Sequence, residues 1–244
     1  MKKFLSMIAA VSLLAASLSA CGASSTTSTT AAAESGKEYK VAIVQQLDHA
    51  SLDEIRVAIE AELDAKAAEK GITIEYKDFN GQNDTTVLNQ IGAQVVSDGY
   101  DAIIPIATLA ATTMATATED NQIPVIYAAI SDPGEAQLTG IANVTGTSDA
   151  LNTAFILDMM LKANPDIETV GLLYSNSEAN SVTPIREAKE YLDSKGIAYL
   201  EKTGNTTDEI LTAASSLVGR AEAVFTPTDN AVMACEGAVA EILN

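Results

Sequence analysis

The sequence predicts an α/β fold made of two doubly wound parallel sheets that follow one another along the chain. Three observations carry that expectation. From residue 39 onward, short β-branched apolar runs alternate with longer stretches of helical periodicity. The alternation pauses once, at a turn-rich interval ending in Asn143-Val144-Thr145-Gly146-Thr147-Ser148, and then resumes. The hydrophobic fraction of 47% is enough to cover both faces of such sheets.

The elements read in order. Lys40 to Leu47 is a strand, and Leu52, Ile55, Ile59 and Leu63 recur at helical spacing until Gly71 stops the helix. Ile72 to Phe79 is a second strand; Val87, Leu88, Ile91 and Val95 mark a second helix ending at Gly99. Ala102 to Ala107 is a buried-type strand, Leu109 to Glu119 an Ala/Thr helix, and Ile123 to Ile130 a fourth strand. Strands separated by helices of this length form right-handed βαβ units. After the interruption a helix is expected from Asp149 to Lys162 and a strand from Val170 to Tyr174. A helix carrying Val182, Ile185, Ala188 and Leu192 follows, then a strand from Ile197 to Lys202. Thr206-Thr207-Asp208-Glu209 has capping-box spacing for another helix. Ala223 to Thr226 is the next strand, and Asn230 to Leu243 a single helix that would bury Cys235. With only three strands, the second sheet would leave an edge and part of a face uncovered. We therefore expect it to be incomplete at Asn244, the alternative being a natural minimal domain.

The N-terminus has a different chemistry. Lys2 and Lys3 precede the apolar run Phe4 to Leu18, and Ser19-Ala20 offers small side chains for cleavage before Cys21. The run is too short to be trusted as a membrane span. Leu18-Ser19-Ala20-Cys21 resembles a bacterial lipobox, which would make Cys21 an acylated anchor. Gly22 to Glu38, rich in Ser, Thr and Ala, cannot bury a core and reads as a tether. The expected organisation is a signal peptide over 1–20, a tether over 21–38, one α/β lobe over 39–145 and a second over 146–244. The expected location is outside the cytoplasm, on the membrane surface.

Charge and composition exclude whole classes of partner. Fourteen Lys and Arg stand against 33 Asp and Glu, a formal net charge of −19, and both lysines of the leader would be removed. Such a surface repels phosphate backbones, which argues against nucleic acid. The loop after the first strand, Gln45-Gln46-Leu47-Asp48, has no glycine to cradle a phosphate. No Gly-x-Ser-x-Gly elbow is present, and one histidine, His49, cannot build a multi-histidine metal site. Acid pairs such as Glu60 and Asp64 read as solvated helix faces. No cofactor or enzymatic activity is expected, although a triad through His49 stays open.

In doubly wound sheets, ligands meet the loops at the carboxyl ends of the strands. Here those loops are polar. They contain Gln46 and His49 after the first strand, Thr108 and Leu109 after the third, and Ser131 before Asp132-Pro133 after the fourth. In the second unit they contain Glu178, Asn180 and Ser181, then Thr228, Asp229 and Asn230. Any one of them alone is an ordinary helix cap. Their convergence on the facing ends of two lobes points to binding.

Five segments also carry a family resemblance: Ile106-Ala107-Thr108-Leu109-Ala110-Ala111, Ser131-Asp132-Pro133, Asn143-Val144-Thr145-Gly146, Leu173 to Ser181, and Pro227-Thr228-Asp229-Asn230. In order and spacing they are similar to the ABC transporter substrate-binding protein family that includes tryptophan- and tyrosine-binding lipoproteins. Glu178-Ala179-Asn180-Ser181 and Pro227 to Asn230 are the most specific parts. The resemblance implies a two-lobed periplasmic-binding-protein fold of type I, a small solute such as an aromatic amino acid, and ABC permease and ATPase partners. A ligand sensor serving a membrane receptor has the same fold and remains an alternative. Family members continue beyond Asn244. For an amino acid, the carboxylate is expected near Thr108-Leu109 and Asn180-Ser181, where helix N-termini offer N–H groups. The ammonium is expected at Asp229 first and Glu178 second, with Asp132 reserved for its turn. An apolar side chain would rest between the His49 to Leu52 segment and the opposite lobe.

Overall fold

The computed structural model describes residues 36–244. The leader, Cys21 and the tether as far as residue 35 lie outside the described residues. Just before the first strand, Gly36 N–H bonds to Gly71 O at 3.0 Å, so the last residues of the expected tether are tied to the first sheet.

The first sheet has five parallel strands: β1 (Glu38–Gln45), β2 (Thr73–Asn80), β3 (Ala102–Ile106), β4 (Val125–Ile130) and β5 (Val144–Ser148), in the order β2-β1-β3-β4-β5. Its helices are α1 (Ala50–Lys70), α2 (Thr85–Ser97) and α3 (Thr108–Ala117). The period of two along β1 divides the core. Ala42 and Val44 pack with Leu88, Ile91 and Val95 of α2 and Ala110 and Met114 of α3. Ile43 instead joins Leu52, Ile55, Ile59 and Leu63 of α1 on the other face. α1 ends where Gly71 takes the left-handed conformation (φ 65°) and returns its N–H to Ala67 O.

β5 is a difference from the sequence reading, which took this segment as a turn-rich connection. It is an edge strand in which only Val144 is apolar and half-buried, the rest being exposed Thr, Gly and Ser, so hydrophobic pattern does not announce it. The following helix is also shorter than expected. α4 covers Thr153–Ala163, because Asn152 caps it by accepting Phe155 N–H at 3.1 Å. Asp149 is thereby a residue at a strand's end rather than in a helix.

The second sheet is β7-β6-β8, from β6 (Thr169–Tyr174), β7 (Ala198–Thr203) and β8 (Ala223–Phe225), all parallel. Val170 and Leu172 face α4 and α5 (Ala179–Lys195), meeting Leu157, Ile185, Ala188 and Leu192. Leu173 faces the other way, against Ile210 and Ala214 of α6 (Thr207–Ser215). The capping box forms in a shifted version. Thr206 accepts Glu209 N–H, while the Glu209 carboxylate takes Asn205 N–H at 2.8 Å. The expected terminal helix is two pieces, α7 (Asn230–Met233) and α8 (Glu236–Leu243). Cys235 (φ −130°, ψ 22°) breaks it and is half-buried rather than a core residue. Among the described residues no helix is long and apolar enough to cross a membrane.

Candidate functional site

Each sheet has a point where strand order reverses, between β1 and β3 and between β6 and β8. Loops leaving there diverge to opposite faces and open a crevice. In both sheets one buried polar side chain stitches that point together. Gln46, with no exposed surface, accepts Leu109 N–H at 2.9 Å through Oε1 and donates to Asn83 Oδ1 at 2.8 Å. Asp229, equally buried, accepts Ser175 N–H at 2.7 Å, Ser181 Oγ–H at 2.6 Å and, as the cap of α7, Val232 N–H at 3.0 Å. Both of its oxygens are thus engaged by donors of the chain itself.

The two sets of strand ends meet. Gln46 Nε2 donates to Glu178 Oε1 at 3.3 Å, Ser131 and Thr228 hydroxyls lie 2.9 Å apart, and Thr183 Oγ donates to Asp132 Oδ2 at 2.7 Å. His49 Nε2 lies 3.6 Å from Glu236 Oε1. Asp132 also closes its own turn by accepting Gly134 and Glu135 N–H, each at 2.9 Å. These hydrogen bonds, led by that from Glu135, hold its carboxyl below the usual range. Glu178 behaves in the opposite way. Burial, then the neighbouring Asp229 charge, push its carboxyl upward, while hydrogen bonds from Asn230, the closest at 2.8 Å, resist the shift.

Between these contacts lies a cavity of about 150 Å³. Leu52 and Ile55 of α1 and Met233 form apolar parts of its wall, while Thr108, Ser131, Asp149, Asn180, Thr228 and Asn230 supply polar groups. Ala107 and Ala129 also line it, and both are backbone outliers: Ala107 at φ 75°, ψ 163° opens α3, and Ala129 at φ 58° sits where β4 shifts register against β5. Strain of this kind, about 1–3 kcal/mol per residue, gathers at binding and switch sites. Asn180 adds a further irregularity. Its Nδ2 donates to Thr228 O at 2.6 Å, but its Oδ1 is buried with no partner among the described residues. A larger hollow of about 490 Å³ runs along α5 beside Tyr174 and Tyr199. It is bounded by the second sheet alone, so we place the site at the smaller cavity, where both sets of loops contribute.

Of the residues singled out from sequence, Thr108, Ser131, Asn180, Thr228 and Asn230 line this cavity. Gln46, Glu178, Ser181 and Asp229 stand behind it and hold its wall together. Leu109 contributes an N–H already taken by Gln46, which leaves Thr108 and Ala110 as the first-turn donors of α3. His49 caps α1, accepting Ser51 N–H at 3.3 Å, and is absent from the wall, whereas Leu52 from the same segment is present. Sequence reasoning missed Asp149, Ile55 and Met233. The signal for Asp149 was the β-branched alternation Val144-Thr145-Gly146-Thr147, whose carboxyl end it follows. Among the described residues no group of three or more His, Cys, Asp or Glu is placed to hold a metal ion.

Comparison with known proteins agrees with this fold. The family model described as ABC transporter substrate binding protein matches residues 40–241. A tyrosine-binding protein of Clostridioides difficile is 32% identical over 251 aligned residues, covering 100% of this chain and 72% of that protein. The structure of the ABC domain from Streptococcus pneumonia in complex with L-Trp superposes with a TM-score of 0.76 at 30% identity, covering 83% of this chain and 69% of the other. The ligand-free, open structure of a Clostridium difficile substrate binding protein with adhesive properties gives 0.57 at 32% identity, covering 84% and 70%.

Proposed function

The chain belongs to the ABC transporter substrate-binding protein family, and on that premise we propose that it is the lipid-anchored, extracytoplasmic receptor of an importer that captures an aromatic amino acid between its two lobes. The family is one of substrate-binding proteins rather than enzymes. The observation that carries the reading is the cavity in which strained Ala107 and Ala129, Thr108, Ser131, Asn180 and Thr228 converge from both sheets. Its volume of about 150 Å³ is small beside the roughly 300–1,000 Å³ of sites that enclose whole small molecules. A ligand would therefore enter an opened cleft and be enclosed by closure. The comparisons support the same picture: at nearly equal identity, this chain is more similar to the L-Trp complex than to a ligand-free, open relative. The crossover between the sheets, Asp149 to Asn152, would act as part of the hinge, since β5 (Val144–Ser148) pairs in the first sheet and the division into 39–145 and 146–244 expected from sequence would cut that strand. Ligand, a permease and an ATPase would be the partners, with no cofactor.

Two experiments test the reading. L-Trp and L-Tyr should raise the melting temperature of the protein, since a ligand that binds only the folded state stabilises it. If neither does, while another solute does, the ligand class is wrong. Wild-type protein should also partition into detergent carrying acyl chains on Cys21, and Cys21→Ser should remain aqueous, because stable tethering needs those chains. An unlipidated wild-type protein by mass spectrometry would end the anchor proposal.

A further inference from the structure

We propose that Glu178 makes closure of the lobes proton-linked: joining them takes up a proton from solvent onto its carboxyl, so the closed form is favoured as pH falls and the open form as pH rises. The inference rests on the closure reading above and adds its regulation. Glu178 stands immediately before α5, yet its side chain makes no cap hydrogen bond there. It reaches the first lobe instead, where Gln46 Nε2 donates to its Oε1 at 3.3 Å. With the lobes together the residue is only 8% exposed.

Two buried acids are neighbours at this point, and their donors assign them different roles. Asp229 accepts Ser175 N–H at 2.7 Å, Ser181 Oγ–H at 2.6 Å and Val232 N–H at 3.0 Å. Glu178 has only amides: Gln46 on Oε1, and Asn230 on Oε2 through its N–H at 3.4 Å and its Nδ2 at 2.8 Å. Neighbouring buried carboxylates ionise together only at a cost, and the one less well supplied with donors takes the proton. A protonated carboxyl keeps acceptor lone pairs, so the bonds from Gln46 and Asn230 survive the change.

No cation offsets the pair. Arg186 and Lys189, which share the hollow along α5 with Glu178, are held by Glu190 at 3.5 Å and Glu201 at 2.8 Å. The groups that act on Glu178 are neutral Gln46 from the first lobe and Asn180, Asn230 and Asp229 from the second. Burial is the largest influence on its carboxyl and pushes it upward. Opening the lobes removes part of that burial and returns water to the side facing Gln46, which favours the charged carboxylate. The Gln46 bond lost in exchange is one long contact from a neutral amide. The closed form therefore binds the proton more tightly, and this support for closure is lost as pH rises through the closed-form value. Among the other titratable groups near the meeting of the lobes, Asp149 accepts from Ser131 of its own lobe. Asp132, held below the usual range, acts in the opposite sense, its Thr183 bond weakening on acidification. His49 and Glu236, 3.6 Å apart, act in the same sense as Glu178, because a protonated imidazole attracts the carboxylate.

Small-angle scattering of the unliganded wild type, Glu178→Gln and His49→Gln from about pH 4 to about pH 8 tests the link without a ligand. The wild-type radius of gyration should grow with pH, the ratio of closed to open falling about tenfold for each pH unit by which closure raises the Glu178 carboxyl. Glu178→Gln keeps the shape and cannot titrate, so it should stay as compact at high pH as the wild type is at low pH, while His49→Gln should follow the wild type. In the wild type, carbon-13 NMR of the Glu178 carboxyl gives a readout that needs no variant: it should titrate above free glutamate. A wild-type radius independent of pH, a Glu178→Gln profile that changes as the wild type does, or an ordinary Glu178 titration would each overturn the link. If L-Trp still compacts such a protein, the closure reading stands and the link alone is removed. If L-Trp binds without compacting the protein at any pH, the closure reading falls and the link with it.

Discussion

At the scale of single residues, this site is a set of polar groups mostly committed to one another. Gln46, Glu178 and Asn230 form one connected group across the lobes, and its weak member is Glu178, a carboxylate held in a buried place beside Asp229. A native pKa raised above the ordinary 4.5 means that the folded protein binds that proton more tightly than the unfolded chain. The contribution to stability is then fully present below about 4.5 and is lost as pH rises through the native value. Thermal unfolding of wild type and Glu178→Gln across this range should show the wild type losing ground to the variant as pH rises. Parallel curves would mean that Glu178 titrates normally. Ala107 makes the complementary point in the backbone. A residue with a Cβ held at φ 75° persists only because β3, α3 and the buried surroundings over-determine it.

At the scale of elements, β5 is the one on which most depends. Its hydrogen bonds to β4 close the first sheet and bring Asp149 to the cavity, yet Thr145 to Ser148 are exposed and contribute no core. Register is instead enforced by contact. A Cβ added at Gly146 would stand 2.1 Å from Tyr127 O and 2.4 Å from its ring, and a strand backbone cannot yield as a flexible side chain can. Gly146→Ala should therefore destabilise the protein by about 1–3 kcal/mol, as overpacking does, read from urea unfolding. It should also weaken ligand binding by displacing Asp149. Unchanged stability would show that β5 can leave β4 at little cost. The paired switch points are a second theme at this scale. Gln46 in one sheet and Asp229 in the other each tie a strand end to a neighbouring helix start, so the loops that form the crevice are rigid before any ligand arrives.

For the whole molecule, few bonds join the two lobes across the cleft, and each is of a kind that can exchange with water. The Thr183 hydroxyl bond to the ionised Asp132 at 2.7 Å is charge-assisted, worth about 1.5–3 kcal/mol. Removing it with Thr183→Val should shift the balance between closed and open forms by roughly tenfold or more toward open. Small-angle scattering should then show a larger radius of gyration for the unliganded variant, with L-Trp restoring the compact form. Identical profiles for the variant and wild type would show that this contact does not hold the lobes together.

Much of this architecture was legible in the chain. Helix stops at Gly71 and Gly99, the apolar run within Lys40 to Leu47, and the cap at Thr206 are local consequences of residue chemistry, and they specified the fold class and the order of elements. The loops at the strand ends were legible for the same reason, since a doubly wound sheet sends them all to one edge. Three matters were decided only by tertiary structure. β5 exists because β4 offers it a parallel edge, not because its own residues are apolar. The helix expected after Asn230 breaks at Cys235. Asp229 first and Glu178 second were the favoured ligand acids in the sequence, but the fold commits their oxygens to protein donors and brings Asp149 and Asn180 to the cavity. The physical reason is common to all three. Propensity and periodicity act over a few neighbouring residues, whereas an edge, a close contact or the saturation of a hydrogen bond depends on groups that are distant in sequence and meet only once the chain has folded.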